Sequence, residues 1–542
     1  MRLNPELRTW LVCLLLIAPA TIPYVAHYTA TNGNVPTGFI QGDQPYYIAN
    51  AREHFDKGSF TFLYGNPFSP DPETPRIYFQ PHILLLGTFV YWTGWDPGTI
   101  YVIFGLLAAL ACARVMVALY QHLFGLTSPA HWVGLIIFFW GGGALVLAGG
   151  AITGYYWFYG GDFTVKYLFQ FDPMLGWWFL NLGRNLVLPT EAYYHALFLG
   201  CILMMLKRNF VVAIGLAFLL SASHPYTGLE LLLILCLWTM VETIFIRDAH
   251  VPHTLFPATS LFAILHVWYY LVYLSRFDEH RILVSQWEQA WIMTAGTMLA
   301  AYSLVGILAL LRLRSRIAAL EFLADWKNRL LAAWFVVAFT LANHELFMHP
   351  VQPLHFTRGY IWASLFLIGT PTLIAVFDKL LRYGKYAGRV ITLALVLLFL
   401  SDNATWLGAV SSQPMRSDIL MTPAQREVLH WMDSTGSATE LLVSQDERIG
   451  YLATVYAPVR SRYSHPFNTP NASRRKDEIQ QFFAGGTVLE EWRERNLIVL
   501  FRKESFPQDS WWQFRREYLA GWQVHDTFVN NEYAAFRSKR TD

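Results

Sequence analysis

The sequence predicts a mainly α-helical, polytopic transmembrane bundle of about eleven spans, followed by a soluble α/β domain. Three observations predict it. The 542 residues are 54% hydrophobic and only 14% charged, against about 25% charged in a soluble domain. Apolar runs of span length recur from Trp10 to Leu407. After Ser411 the composition becomes that of a soluble chain. Lys and Arg number 40 against 38 Asp and Glu, so the net charge gives no basis for a nucleic-acid partner. The four cysteines, Cys13, Cys112, Cys201 and Cys236, each lie in an apolar run and form no CxxC. They read as small buried side chains rather than metal ligands or disulfides.

The first span is Trp10–Ala26. Its basic flank, Arg2 and Arg8, is one a signal peptide would share, but no small-residue cleavage site stands out and many spans follow, so it reads as retained. The next are Thr99–Tyr120, Trp132–Gly150, Tyr193–Leu206, Phe210–Ala222, Thr227–Phe245 and Leu255–Leu274. The last are Ala290–Leu311, Leu330–Ala342, Ile361–Phe377 and Val390–Leu407. With a cytoplasmic N-terminus, the inner loops collect Lys207, Arg208, Arg247, Arg312, Arg314, Arg316, Lys327, Arg329, Lys379, Arg382, Lys385 and Arg389. That matches the positive-inside rule and puts the C-terminal region on the extracytoplasmic side of an inner or plasma membrane.

The expected organisation is a transmembrane domain over residues 1–410 with long outer loops at 28–82, 151–192 and 343–360, then an extracytoplasmic α/β domain over 411–542. Long loops beside short cytoplasmic ones point to function. In the first, Tyr46–Phe55 and Ile83–Trp92 read as short surface helices. In the outer domain, Thr422-Pro423-Ala424-Gln425 is a helix start with a capping box. Glu440–Ser444, Leu497–Arg502, Gln523–Phe528 and Tyr533–Phe536 read as strands. Arg474–Phe483 and Trp511–Ala520 read as helices.

The segment Gly42-Asp43-Gln44-Pro45-Tyr46-Tyr47 places a carboxylate soon after the first span, beside two aromatic rings. By residue type alone Asp43 would cap the helix beginning near Pro45. Its nearness to the membrane and to rings suited to stacking on a sugar favours a catalytic base instead. Here the chain resembles the GT-C superfamily of integral-membrane glycosyltransferases, which use polyprenyl-phosphate-linked sugars. The resemblance rests on Asp43, Tyr46-Tyr47, Ala51-Arg52, Gly58 and Tyr78-Phe79-Gln80-Pro81-His82. It covers topology over most of residues 1–410 and residue motifs over about 40–120, with a weaker likeness to the outer domains of some members. Many members carry an acidic pair where this chain has Asp43 followed by Gln44. That departure counts against a divalent metal, and no other cofactor is implied.

The resemblance implies transfer of one sugar, with inversion, from a polyprenyl-phosphate donor to a glycan, lipid or protein acceptor on the outer face, Asp43 deprotonating the acceptor hydroxyl. It also implies a late outer loop closing on the lipid phosphate, for which Arg358 is the match. That loop carries His344, His349, His355 and Arg358, donors suited to a phosphate; the histidine spacing is not one zinc uses. The second outer loop adds Asp162, Lys166, Asp172 and Arg184, with Arg184 facing phosphate. Its helix start Leu188-Pro189-Thr190-Glu191 puts Glu191 and His195 one turn apart. Tyr46, Tyr47, His82, Asp162, Glu191, His195 and His224 are expected to line the cavity, with Glu230 deeper beside His224. The basic segment Arg460–Arg475 around Ser464-His465-Pro466 reads as a solvated loop, contact with phosphate or acceptor being the alternative. The sequons at Asn403 and Asn471 matter only in a glycosylating compartment. Two rivals stay open: an oligosaccharyltransferase acting on protein, which would want a second carboxylate and a metal, and a transporter, which would want internal repeats.

Overall fold

The computed structural model describes residues 4–55, 60–162, 164–172, 176, 178–179, 181–248, 250–287, 291–383, 385–412, 420–485, 492, 495–505 and 522–540. Gly58 and the expected helix Trp511–Ala520 lie outside them. The chain forms two compact units, one of Met1–Ala26, Ile103–Tyr270 and Gln289–Met415, the other of His27–Val102, Leu271–Glu288 and Arg416–Asp542.

The first unit is helical, and each expected span contains a helix. Among the described residues of the whole chain, seven helices are long and apolar enough to cross a membrane: Pro5–Thr29, Pro97–Phe124, Pro225–Ile246, Leu255–Arg276, Ala295–Arg312, Pro353–Arg382 and Tyr386–Val410. The bent pair Pro129–Trp140 and Leu145–Phe158 makes an eighth if counted as one span. The expected number of about eleven exceeds this because two apolar runs are short helices, Phe210–Ser223 with 14 residues and Trp326–Ala342 with 17, and a third helix, Pro189–Leu206, carries Glu191 and His195 in its opening turns. At about 1.5 Å per residue, 14 residues reach only about 21 Å of the roughly 30 Å hydrocarbon layer.

The helix Tyr360–Tyr383 is the hub of this unit, packing on Ala295–Arg312, Trp326–Ala342, Lys385–Val410 and Pro129–Trp140. Its Tyr360, Trp362, Phe366, Leu367 and Phe377 are fully buried. At Gly369 an added Cβ would lie 2.7 Å from the Leu308 side chain and 3.0 Å from the Ala309 nitrogen, so glycine sets how closely these two helices approach.

The bent pair turns through 65°, and two adjacent residues of helix Lys385–Val410 hold the break. Asp402, fully buried, accepts from the amides of Leu145 (3.3 Å) and Val146 (2.9 Å), which open the second helix of the pair. Asn403, 1% exposed, donates to the carbonyls of Trp140 (3.0 Å) and Gly141 (3.1 Å), which close the first, and its Oδ1 accepts from the Arg184 amide at 3.0 Å. Backbone groups freed at a break inside a membrane need such partners, since each unmet one costs several kcal/mol in lipid.

The second unit contains the sheet expected after residue 411. Its strands are β1 Leu441–Ser444, β2 Arg460–Ser461, β3 Leu497–Arg502, β4 Trp522–Val529 and β5 Tyr533–Arg540, in the order β2-β1-β3-β5-β4. β1 pairs in parallel with β2 and β3, while β5 runs antiparallel to β3 and β4. Helix Pro423–Thr435 begins with the expected capping box, Thr422 and Gln425 each bonding the other's backbone. Phe482, Trp492, Phe501 and Phe536 pack with Leu441, Val443, Leu497 and Val499 in the core beside the sheet.

Asp446 ties the turn after β1 to the far strands. Its carboxylate caps helix Glu447–Tyr456 through the amides of Arg448 and Ile449, and accepts from the Tyr533 hydroxyl (2.7 Å) and the Arg502 guanidinium (2.8 Å). Burial pushes the Asp446 carboxyl up, but Tyr533, Arg502 and the helix amides outweigh it and hold it below its ordinary value. A carboxyl lowered on folding stabilises above its unfolded pKa of about 3.9, and the stabilisation is lost as pH falls through the folded value. Asp446→Asn keeps the cap oxygen and loses the charge-assisted bonds, at a cost of about 1.5–3 kcal/mol. Amide exchange across β1 and helix Glu447–Tyr456 should therefore quicken in the variant at pH 7, and differ less from wild type as the pH drops toward 3.

The same unit holds the long segment over residues 28–82. Helix Pro45–Arg52 packs on helix Pro81–Thr93 and on helix Glu447–Tyr456. Gly87 admits the Ala51 carbonyl where any side chain would block it. Arg52 donates to the Val455 carbonyl at 2.6 Å, and buried Arg460 pairs with buried Glu53 at 2.6 Å. The helix carrying the Tyr46-Tyr47 pair is thereby fastened to the C-terminal α/β part of this unit.

Candidate active site

Asp43 lies in the turn leading into helix Pro45–Arg52, and that helix has no side-chain cap. The carboxylate points to solvent, with its side chain 68% exposed. Gln41 Nε2 donates to Oδ2 at 3.3 Å, and His465 Nε2 stands 3.6 Å from Oδ1. The next residue, Gln44, turns inward and accepts from the Ile40 amide at 2.7 Å. Tyr46 stacks on Phe68 (5.5 Å between centroids) and Tyr47 on Tyr101 (6.1 Å), so the protein takes one face of each ring. His82 is buried beside Tyr47, at 6.1 Å, and burial pushes its imidazole down to about 3. It is neutral at physiological pH and brings no positive charge.

The segment Arg460–Arg475, expected as a solvated loop, is largely folded in. Arg460, Arg462, His465 and Thr469 are each under 5% exposed. Arg460 is neutralised by Glu53 and Arg462 by Glu478. What the segment presents to Asp43 is His465.

The second group of residues lies in the first unit, around Arg358. Its guanidinium bonds Glu191, donates to His355 Nδ1 at 2.7 Å, and lies 5.4 Å from the centroid of the Trp178 ring. His355 is stacked on Tyr226 at 4.3 Å. Because the guanidinium can only donate, His355 Nδ1 is the bare nitrogen. Gly359, at φ +84°, turns the chain just after Arg358 in a conformation side chains resist. The Arg358 carbonyl is bonded by Asn185 Nδ2 and His195 Nε2, both at 2.9 Å. His195 also meets the Glu191 carbonyl through Nδ1 at 2.8 Å. Glu191 and His195 share a helix face as expected, but the Glu191 carboxylate pairs with Arg358.

The remaining residues have various positions. Buried Arg184 donates to Asn185 Oδ1 at 2.6 Å, and its charge reaches Glu191. His344 latches its own loop, Nδ1 on the Leu341 carbonyl (2.6 Å) and Nε2 taking the Val351 amide (2.8 Å), which occupies both nitrogens. His349 and Asp162 are exposed. Asp172 accepts from the Trp178 and Phe179 amides and shapes the second loop. His224 caps helix Pro225–Met240 by accepting from the Thr227 amide at 3.1 Å. Glu230 is fully buried, and neither carboxylate oxygen has a hydrogen-bond partner among the described residues. The described residues contain no cluster of three or more His, Cys, Asp or Glu arranged for a metal.

The chain thus combines a many-helix body, in which seven helices among the described residues are long and apolar enough to cross a membrane, with a C-terminal five-stranded α/β domain. No protein-family profile and no curated protein matches the sequence. Among solved structures the chain is similar to the archaeal oligosaccharyltransferase AglB from Archaeoglobus fulgidus in complex with an inhibitory peptide and a dolichol-phosphate. That alignment has a TM-score of 0.51 and 10% identity, covering 98% of this chain and 74% of the other. A second structure of the Archaeoglobus fulgidus oligosaccharyltransferase, tethered with an acceptor peptide containing the NVT sequon, aligns at 0.49 and 10% identity, covering 99% and 74%. At such identity the likeness is one of fold.

Proposed function

We propose that this protein is a membrane glycosyltransferase that moves a sugar from a polyprenyl-phosphate donor to an acceptor on the extracytoplasmic face. The observation that carries the reading is Asp43: a solvent-facing carboxylate that caps no helix, set beside Gln41 and His465, in a fold shared with an enzyme captured with dolichol-phosphate. In the proposed step Asp43 takes the proton of the acceptor hydroxyl. The acceptor oxygen forms a bond to the sugar's anomeric carbon, and the bond from that carbon to the phosphate oxygen breaks. The phosphate leaves with the electron pair and the configuration inverts. Charge growing on the leaving phosphate is where a fixed cation lowers the barrier most. Taken by itself, the first unit offers Arg358, oriented by His355, Trp178 and Glu191 with Arg184 adding positive charge, as the group that would bind a lipid phosphate. The outward orientation is supported by the Lys and Arg distribution along the chain.

Transfer of a lipid-linked glycan to protein is the second reading, favoured by the inhibitory peptide bound to the structurally similar enzyme. Gln44 in place of a second acid favours the first. Loss of activity in EDTA, restored by a divalent cation, would select the second.

Arg358→Ala tests the phosphate role. Loss of a charge-assisted bond in a partly desolvated site should cost about 1.5–3 kcal/mol, roughly a ten- to hundredfold weaker binding. The measurement is binding of dolichyl phosphate and undecaprenyl phosphate to purified protein in nanodiscs. Unchanged affinity for both would remove Arg358 from the phosphate site.

A further inference from the structure

We infer that His465 of the outer domain is a positioning residue for Asp43, so that the α/β domain completes the catalytic apparatus. The inference rests on the reading of Asp43 as the base.

The geometry fixes which face of the imidazole does what. Three donors converge on Nδ1: the backbone N–H of Phe467 at 3.1 Å, that of Asn468 at 3.2 Å, and the Asn468 side-chain amide at 3.0 Å. A nitrogen receiving backbone N–H groups is an acceptor, so the ring proton of the neutral tautomer sits on Nε2. Nε2 is the atom that stands 3.6 Å from Asp43 Oδ1. The N–H is thus on the nitrogen nearer the carboxylate, and the other oxygen has the Gln41 amide. Nε2 stands just beyond hydrogen-bond distance of Oδ1, close enough for a small movement of the exposed carboxylate to close the contact.

The ring itself is held firmly. His465 is 4% exposed. Phe68 lies 5.5 Å and Tyr451 5.1 Å from it, Tyr46 6.3 Å, with Tyr451 edge-on. Its backbone amide donates to Thr469 Oγ1 at 2.9 Å, and its carbonyl accepts from the Thr469 amide at 3.0 Å, closing the turn. Burial first, and the Asp43 charge second, raise the Tyr451 phenol, so Tyr451 is neutral at working pH. A buried imidazole with one nitrogen satisfied by its own turn and the other beside an exposed carboxylate is placed to act as the orienting partner of a base. Nothing in a solvated surface loop would require it.

Two variants separate the turn from the contact. In His465→Asn the side-chain oxygen can replace Nδ1 as acceptor of the turn amides, while the Nε2–H donor is gone. His465→Gln supplies an N–H near the Nε2 position. The first experiment needs no substrate. The full-length protein is labelled with 15N-histidine, and the His465 signals are assigned by their loss in His465→Asn. An Nε2-protonated ring is expected, with its N–H resonance displaced in Asp43→Asn. An Nδ1-protonated ring, or an N–H resonance indifferent to Asp43→Asn, overturns the inference whatever the enzyme's activity. The second experiment is turnover of a panel of undecaprenyl-phosphate and dolichyl-phosphate hexoses and pentoses, read as released polyprenyl phosphate. His465→Asn should lower kcat about ten- to a hundredfold with donor KM unchanged, and His465→Gln should regain part of it. Wild-type kcat in His465→Asn overturns the positioning role. Failure of the underlying reading shows itself differently, as full turnover in Asp43→Asn.

Discussion

Asp43→Asn is expected to abolish sugar transfer while leaving the binding of donor lipid largely intact. The substitution keeps the size of the side chain and one of the two acceptor oxygens that face Gln41 and His465, and removes the ability to take a proton. Loss of a general base costs a factor of about 10² to 10⁴ in turnover. Because the carboxylate caps no helix and is largely exposed, the variant should fold as the wild type does. That makes the result interpretable: unchanged melting, unchanged dolichyl phosphate affinity and lost release of polyprenyl phosphate from the sugar-donor panel. Turnover at the wild-type rate would return Asp43 to the status of a surface acid.

The largest expected effect on stability is that of Arg460→Ala. Arg460 and Glu53 form a buried pair at 2.6 Å with both side chains nearly inaccessible, and Arg460 also donates to the Asn66 carbonyl at 3.0 Å. Removing one member strands a buried charge, at a cost of about 3–5 kcal/mol. The pair joins the C-terminal α/β domain to the turn that follows helix Pro45–Arg52, so transfer activity should fall together with the melting temperature. The double variant Arg460→Met with Glu53→Gln leaves no unpaired charge and should recover much of the loss. A double variant no more stable than Arg460→Ala would show that the two side chains act independently.

Much of the fold was legible because it follows from local rules. Apolar runs mark helices wherever they occur, and the capping box at Thr422 states its own geometry. Strand length and alternation placed four of the sheet's segments; β2, at two residues, is too short to leave a pattern. The count of spans erred where apolarity outran length, as in Phe210–Ser223. The candidate sites were legible in part. Arg358 and Glu191 stood out as charges beside the membrane, but their pairing joins residues 167 apart in sequence. His465 could not be connected with Asp43, because no periodicity links a turn in one domain to a loop hundreds of residues earlier. His344 shows the reverse error: a histidine that looks available in sequence spends both nitrogens on its own loop.

The clamp at the bent helix pair bears on the choice of expression host. Asn403 heads the sequon Asn403-Ala404-Thr405, yet its amide nitrogen is spent on the Trp140 and Gly141 carbonyls inside the helical unit. A glycan attached to that nitrogen would replace both bonds and need room where Asn403 is 1% exposed. Modification and folding at this position are mutually exclusive. The other sequon, Asn471-Ala472-Ser473, begins at an exposed residue ahead of helix Ala472–Phe483 and can carry sugar without penalty. In a eukaryotic secretory membrane, a glycoform bearing two chains would mark molecules that missed the native state, whereas a single chain at Asn471 is compatible with it.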